Sequence, residues 1–304
     1  MKRITVLIIM LAFLLCACGT PTEDADETKL QIVCSDFPAY DFARAVAGDD
    51  AQIKLLIKPG AEVHSFEPTP KDMIRIQNCD LFIYNGGESE EWVEELTEDM
   101  PEHICMMECV DAVEESGEGI FKAEDGEEAE LDEHVWTSPK NAAIICGRIC
   151  DALCDIDGDN AAEYRARTEL YTRELMRLDR EIKAVVSAGK NDTLVFADRF
   201  PMRYFTLEYG LSYFAAFPGC SSETEPSAKT VAYLIDKVRD EKLPAVLYME
   251  FSNEKMADTI CEDTGCKKLP FYSAHTVTAQ QFHDGVTYLD LMRINLNSLK
   301  EALG

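Results

Sequence analysis

The chain has 304 residues, and 57 acidic side chains against 29 basic ones give it a formal net charge of −28. An acidic surface of that size excludes nucleic acid as a partner, because phosphates demand a basic face. With 46% hydrophobic residues there is apolar material for one large domain or two lobes.

Lys2 and Arg3 precede an apolar run from Ile4 to Leu15 that is broken only by Thr5. The run is short for a membrane span and has the layout of a secretory signal. It ends in Leu15-Cys16-Ala17-Cys18-Gly19, which resembles a bacterial lipobox. Residues 1–17 therefore read as a signal peptide, Cys18 as the lipidated N-terminus and 18–29 as a polar tether. The alternatives are an ordinary cleaved signal or a short uncleaved anchor. The expected location is extracytoplasmic, on the bacterial cell membrane. Of the twelve cysteines, ten remain after Cys16 and Cys18, with no CxxC to suggest a zinc ribbon. Disulfides are permitted outside the cytoplasm, but the sequence does not pair them.

Residues 30–157 read as a first lobe. Leu30–Cys34 is a predicted strand and Tyr40–Ala47 a helix ending at Gly48. Gln52–Ile57 is a second strand, followed by a loop that carries His64. Thr69, Pro70 and Asp72 have the spacing of a capping box that opens a helix. Leu81–Tyr84 is a third strand, and Asn85-Gly86-Gly87 turns into a predicted helix around Trp92, Val93 and Leu96. Strands alternating with helices predict an α/β fold with a parallel sheet. His64 then lies past the carboxyl end of a strand, where open α/β sheets bind ligands.

Asp111–Glu133 holds eleven carboxylates against the single Lys122 and predicts an acidic loop. It reads either as a low-affinity cation collector or as a solvated insertion. His134 follows in a second loop, ahead of a helix capped by Ser138 and opened by Pro139. On that helix Cys146, Cys150 and Cys154 recur every four residues and read as small core residues.

Residues 158–189 carry an apolar stripe of Tyr164, Tyr171, Leu175, Leu178, Ile182 and Val185, which traces one face of a long helix. Residues 190–304 form a second lobe. The strand Thr193–Ala197 ends at Asp198, and Ala245–Met249 ends at Glu250. A last strand near Leu269–Tyr272 leads to His275. Glu223 and Glu225 read as structural, beside a helix that begins near Pro226. His103 and His283 lie in polar segments and read as surface residues.

Four segments together resemble one family: 35–42, Pro59 to Pro70 around His64, 80–86, and His134-Val135-Trp136-Thr137-Ser138-Pro139. The chain is similar to the zinc/manganese solute-binding lipoproteins of bacterial ABC importers (cluster A-I, or cluster 9) over essentially its whole mature length. The resemblance implies two lobes, each a mainly parallel sheet flanked by helices, joined by a rigid backbone helix. It implies metal ligation by His64 and His134. Asp198 falls at a third ligand position, where many relatives have His or Glu. Thr276 falls in the slot of a fourth, acidic ligand, and the neighbouring His275 is the better donor. The expected set is therefore His64, His134, Asp198 and His275, with Glu250 and Glu67 orienting the ligands from behind. Three imidazoles and a carboxylate favour Zn2+, with Mn2+ possible.

The expected role is capture rather than catalysis, by a monomer that delivers its cation to an ABC permease and ATPase. The rival readings are a secreted zinc-dependent hydrolase with a three-ligand site and Glu250 as base, or a Mn2+-binding receptor or adhesin. No HExxH motif supports the hydrolase.

Overall fold

The structure is a computed structural model that describes residues 28–96, 100–111, 131–217 and 226–304. The expected signal peptide, Cys18, most of the tether, positions 112–130 of the acidic stretch, and Glu223 and Glu225 lie outside the described residues.

The first sheet comprises β1 (Leu30–Cys34), β2 (Ala51–Leu55), β3 (Leu81–Tyr84) and β4 (His103–Cys105), all parallel, in the order β2-β1-β3-β4. Helix α1 (Phe37–Ala47) begins where Asp36 Oδ1 accepts the Ala39 N–H at 3.0 Å, with Pro38 in the first turn. Helix α2 (Pro70–Gln77) opens with the predicted capping box, in which Thr69 and Asp72 exchange backbone and side-chain hydrogen bonds.

Two expectations for this lobe change. The segment around Trp92 forms 3₁₀ turns over Glu88–Leu96, interrupted at Glu90, rather than an α-helix. The reason is Glu90, whose inward carboxylate accepts the N–H groups of Asn85 and Gly86 at 2.7 and 2.8 Å. The three-residue β4 escapes sequence reading because its segment is short and polar. His103 itself is exposed.

Helix α3 (Pro139–Ile156) starts at the Ser138 cap and buries Ala142, Ile145, Cys146, Ile149, Cys150 and Leu153 along one face. Its cysteines are thus core-facing small residues, Cys154 only partly so. Helix α4 (Ala161–Ala188) has 28 residues, a length of about 42 Å. It buries Tyr164, Leu175, Leu178 and Ile182, all members of the predicted stripe. Arg167 on α4 donates to the Val46 and Ala47 carbonyls at 2.7 and 2.8 Å and pairs with Asp50. Those carbonyls lack intrahelical partners at the end of α1, so the arginine satisfies them and complements the helix dipole.

The second sheet repeats the arrangement. It comprises β5 (Thr193–Phe196), β6 (Ser212–Ala215), β7 (Ala245–Met249) and β8 (Lys267–Phe271), again parallel, in the order β6-β5-β7-β8. Around it lie α5 (Arg203–Tyr209), α6 (Ala228–Asp240), α7 (Lys255–Thr264), α8 (Ala279–His283) and α9 (Tyr288–Ala302). The expected α/β class with two parallel sheets and one long helix is therefore the observed architecture.

One continuous core joins the sheets. It includes Ile32, Phe42 and Leu81 beside the first sheet, Phe196 and Phe271 beside the second, and Leu175, Tyr288 and Trp136 between them. Asp41 on α1 is the polar hub of this seam. Its buried carboxylate accepts from Arg44 at 2.6 Å, the Tyr288 N–H at 2.8 Å and the Tyr171 hydroxyl at 3.2 Å. Burial raises its pKa, and the Arg44 charge and these hydrogen bonds work against that rise. Asp41→Ala would leave three donors short of a partner in the core. It is expected to lower unfolding stability by about 2–4 kcal/mol, measured by urea denaturation.

Candidate metal centre

The carboxyl ends of both sheets face a common seam, and three loops meet there. His64 comes from the loop between β2 and α2, His134 from the turn before α3, and His275 from the loop after β8. One ligand nitrogen from each lies within 4.8 Å of the other two. The ring centroids are 6.0 Å apart for His64 and His134, 5.2 Å for His64 and His275, and 5.4 Å for His134 and His275. The side chain of His64 is 25% exposed, against 1% for His134 and 6% for His275. The cluster is therefore reached from the His64 side.

Each imidazole has a carboxylate behind it. Glu133 Oε1 lies 3.0 Å from His64 Nδ1, and Asp132 Oδ1 lies 3.0 Å from His134 Nδ1. Asp36 Oδ2 lies 3.5 Å from His275 Nε2. For His64 and His134 the carboxylate is hydrogen-bonded, which fixes the tautomer and makes the other nitrogen a better donor.

These supports are themselves held. Asp132 Oδ1 also accepts the His134 N–H at 2.8 Å, and its carbonyl accepts the Tyr204 hydroxyl at 3.0 Å. Glu133 Oε2 accepts from the Ser89 hydroxyl at 2.7 Å, and the Glu133 carbonyl accepts from Asn85 Nδ2 at 2.9 Å. The Asn85-Gly86-Gly87 turn makes that approach possible. A Cβ on Gly87 would stand 2.7 Å from Glu133 Oε2, and φ is +84° there.

On the other side, both oxygens of Glu250 accept from Ser273: one from its hydroxyl, the other from its N–H at 2.8 Å. The Ser273 hydroxyl oxygen accepts the His275 N–H at 3.1 Å. Ala274 between them has φ of +62°, a strained value for a residue with a side chain. Trp136 locks the pair of loops. Its indole N–H donates to the Ser273 carbonyl at 2.8 Å, and its ring packs 4.6 Å from His275 and 5.4 Å from His134.

The electrostatics are those of a cation receptacle. Burial alone would push the Glu133 carboxyl up, but the His64 hydrogen bond and the fields of His134, His275 and His64 pull it down to about 2. Deeper in, burial raises Asp36 and Glu90 well above the carboxylate range. The charge of Glu133 adds to this for Asp36, and that of Asp36 for Glu90. Crowded acids of this kind are relieved by a nearby positive charge.

The residues expected from sequence are placed unequally. His64, His134 and His275 come together, whereas Asp198 is not one of the group. Its Oδ2 accepts the Met249 N–H at 3.3 Å and its Oδ1 accepts the Arg199 N–H at 2.9 Å. Past the end of β5 the carboxylate thus continues the ladder to β7, which begins with the Ala197 N–H donating to the Leu247 carbonyl. Glu250 supports the His275 loop through Ser273. Glu67 is exposed, and the carboxylate on His64 is Glu133 instead. Sequence reasoning had left Glu133 in the acidic loop, yet it is 8% exposed. The available signal was its position, directly before His134 and between the two partners of a local Asp132–His134 bond.

Comparisons with known proteins show the family. Residues 32–302 match the ZnuA family, described as "Zinc-uptake complex component A periplasmic". The chain belongs to the ZnuA family. It is 30% identical to the "Zinc-binding lipoprotein AdcA" of Streptococcus pneumoniae serotype 4, over 99% of this chain and 61% of that protein. It thus spans less than two thirds of that relative's length. It is 29% identical to the "High-affinity zinc uptake system protein ZnuA" of Bacillus subtilis, over 97% of this chain and 96% of that one. The crystal structure of the Zn(II)-bound ZnuA-like domain of Streptococcus pneumoniae AdcA superposes with a TM-score of 0.77 at 29% identity, covering 90% and 99% of the two chains. The family is one of receptors for metal uptake, not of enzymes.

The support given by Glu133 is testable. Glu133→Ala leaves all three imidazoles in place but removes the group that orients His64. A competition titration with a chromogenic zinc chelator should show affinity about 10–100-fold below wild type.

Proposed function

We propose that this protein is the extracytoplasmic zinc receptor of an ABC importer, holding one Zn2+ on His64, His134 and His275. The observation that carries the reading is the convergence of three imidazole nitrogens within 4.8 Å, each ring backed by a carboxylate. A nitrogen-rich set of this kind suits zinc better than manganese, which prefers more oxygen.

The fourth position is assigned to water. A cleft of about 190 Å³ lined by Gly60, His64, Arg199, Glu250, His275 and Thr276 adjoins the cluster and has room for it. Asp198, the carboxylate expected from sequence to ligate, is engaged with backbone N–H groups instead.

An open zinc position is also a feature of hydrolases, but the residues nearby do not supply a general base. Glu250 has both oxygens on Ser273, and Glu133 has its two on His64 and Ser89. The open position serves exchange instead. A cation held by three protein ligands at the exposed edge of His64 can be handed on without dismantling the core.

Delivery requires a membrane permease and its ATPase, and we place both as partners of a monomeric receptor. We propose residues 1–17 as a signal peptide and Cys18 as the lipid-bearing residue, a reading supported by the Leu15–Gly19 sequence and by the lipoprotein relatives. Among the described residues no helix is long and apolar enough to cross a membrane.

Calorimetric titration of variants separates this ligand set from the one expected from sequence. His64→Ala and His275→Ala should each lower zinc affinity by at least about 100-fold, whereas Asp198→Ala should stay within about threefold of wild type. A loss in Asp198→Ala equal to that in His275→Ala would restore Asp198 as the fourth ligand. Because imidazoles ligate only when neutral, binding should weaken as pH is lowered, measured in the same calorimeter. In host cells lacking the gene, zinc-limited growth should return with wild type and not with His64→Ala. Full rescue by His64→Ala would contradict the import role.

A further inference from the structure

The second lobe carries a pair of thiols that the metal centre does not use. Cys261 stands in the last turn of α7, and Cys266 immediately precedes β8. Their Sγ atoms lie 3.4 Å apart. Between them the helix is terminated by Gly265, which adopts φ of +75° and donates its N–H to the Cys261 carbonyl at 2.8 Å. The Cys266 N–H is turned toward the Thr264 hydroxyl at 3.3 Å. This left-handed cap folds the chain back so that residues five apart in sequence bring their side chains together. Both cysteines are half-buried, packed on the cluster formed by Val246, Ala257 and Ile260.

We propose that Cys261 and Cys266 form an intrachain disulfide in the exported protein. Closing the bond moves the sulfurs from 3.4 Å to about 2.0 Å. In the reaction, two thiols and one low-molecular-weight disulfide give the protein disulfide and two small thiols. The protein sulfurs lose two electrons, the incoming disulfide is reduced, and the two protons leave on the released thiols. The bridge depends on the extracytoplasmic placement proposed above, because a reducing compartment would keep it open. Burial, followed by the hydrogen bond and charge of Cys266, pushes the Cys261 thiol up to about 12. Cys261 therefore keeps its proton at neutral pH and is a slow attacking nucleophile in the exchange.

The bridge would fasten the end of α7 to the start of β8, the strand whose far end leads into Ser273 and His275. Its effect falls on the second lobe's stability, since neither sulfur is in the metal group. A second thiol pair provides an internal contrast. Cys150 and Cys154 are 4.0 Å apart, but both lie within the continuous helix α3, with Cys150 in the core.

The test uses the purified, metal-stripped chain incubated under native conditions with excess oxidised glutathione, then alkylated and digested with trypsin. Cleavage after Lys255 and Lys267 yields a peptide in which Cys261 and Cys266 are the only cysteines. The expected result is that this peptide is unalkylated and lighter by two hydrogens. Oxidised protein should also melt about 3–6 °C above reduced protein. Cys261→Ser/Cys266→Ser should lose that difference and keep wild-type zinc affinity. Recovery of the peptide with both cysteines alkylated, or with glutathione on either one, would overturn the proposal. Because this readout involves no metal, it can fail while the zinc receptor stands, and the reverse.

Discussion

Everything in this molecule turns on holding three imidazoles from three separate loops close together. Three imidazoles gain little from one another, and the acids around them repel. The arrangement persists because each loop is fixed from behind: Glu133 on His64, Asp132 on His134 and Asp36 beside His275. Those carboxylates are in turn anchored by Ser89, by the His134 backbone and by the N-terminus of α1. Burial, with the neighbouring acids adding to it, raises the Asp36 and Glu90 carboxyls. A divalent cation beside these acids would offset that penalty.

Such a site tolerates little movement between the two sheets, and the connections across the seam reflect this. Trp136 donates to Ser273, Tyr288 donates to Trp136, and Tyr204 donates to Asp132. The long helix α4 adds ties to both sides, through Tyr171 to Asp41 on α1 and through Asp179 to the Tyr209 hydroxyl on α5. A receptor built in this way is pre-organised. Its selectivity then rests on donor type and geometry rather than on a wide hinge closing around the cation.

The fold was legible because its signals are local. Alternating apolar strands, the Thr69–Asp72 capping box and the stripe on α4 each report their own few residues, and each appears as expected. The site was legible only in part. His64 and His134 could be placed in loops from the residues flanking them, and His275 was suggested as the donor beside Thr276. Asp198 is harder to read from sequence, because a carboxylate at a strand end has two uses. In this chain it caps the β5–β7 ladder, which is decided by the distance to the Met249 N–H and not by sequence spacing. Glu133 was overlooked for the opposite reason. It sits in a run of acids that looks uniformly solvated, and only the tertiary contact with His64 and the Gly87 turn distinguishes it.

The most direct test of the central claim is the zinc K-edge X-ray absorption spectrum of protein loaded with one equivalent of Zn2+. The account predicts a first shell of nitrogen and oxygen only, at about 2.0–2.1 Å, with outer-shell scattering that fits three imidazoles. A sulfur shell near 2.3 Å would instead place the metal on the cysteines. That result, or scattering from fewer than three imidazoles, would contradict a site built from His64, His134 and His275.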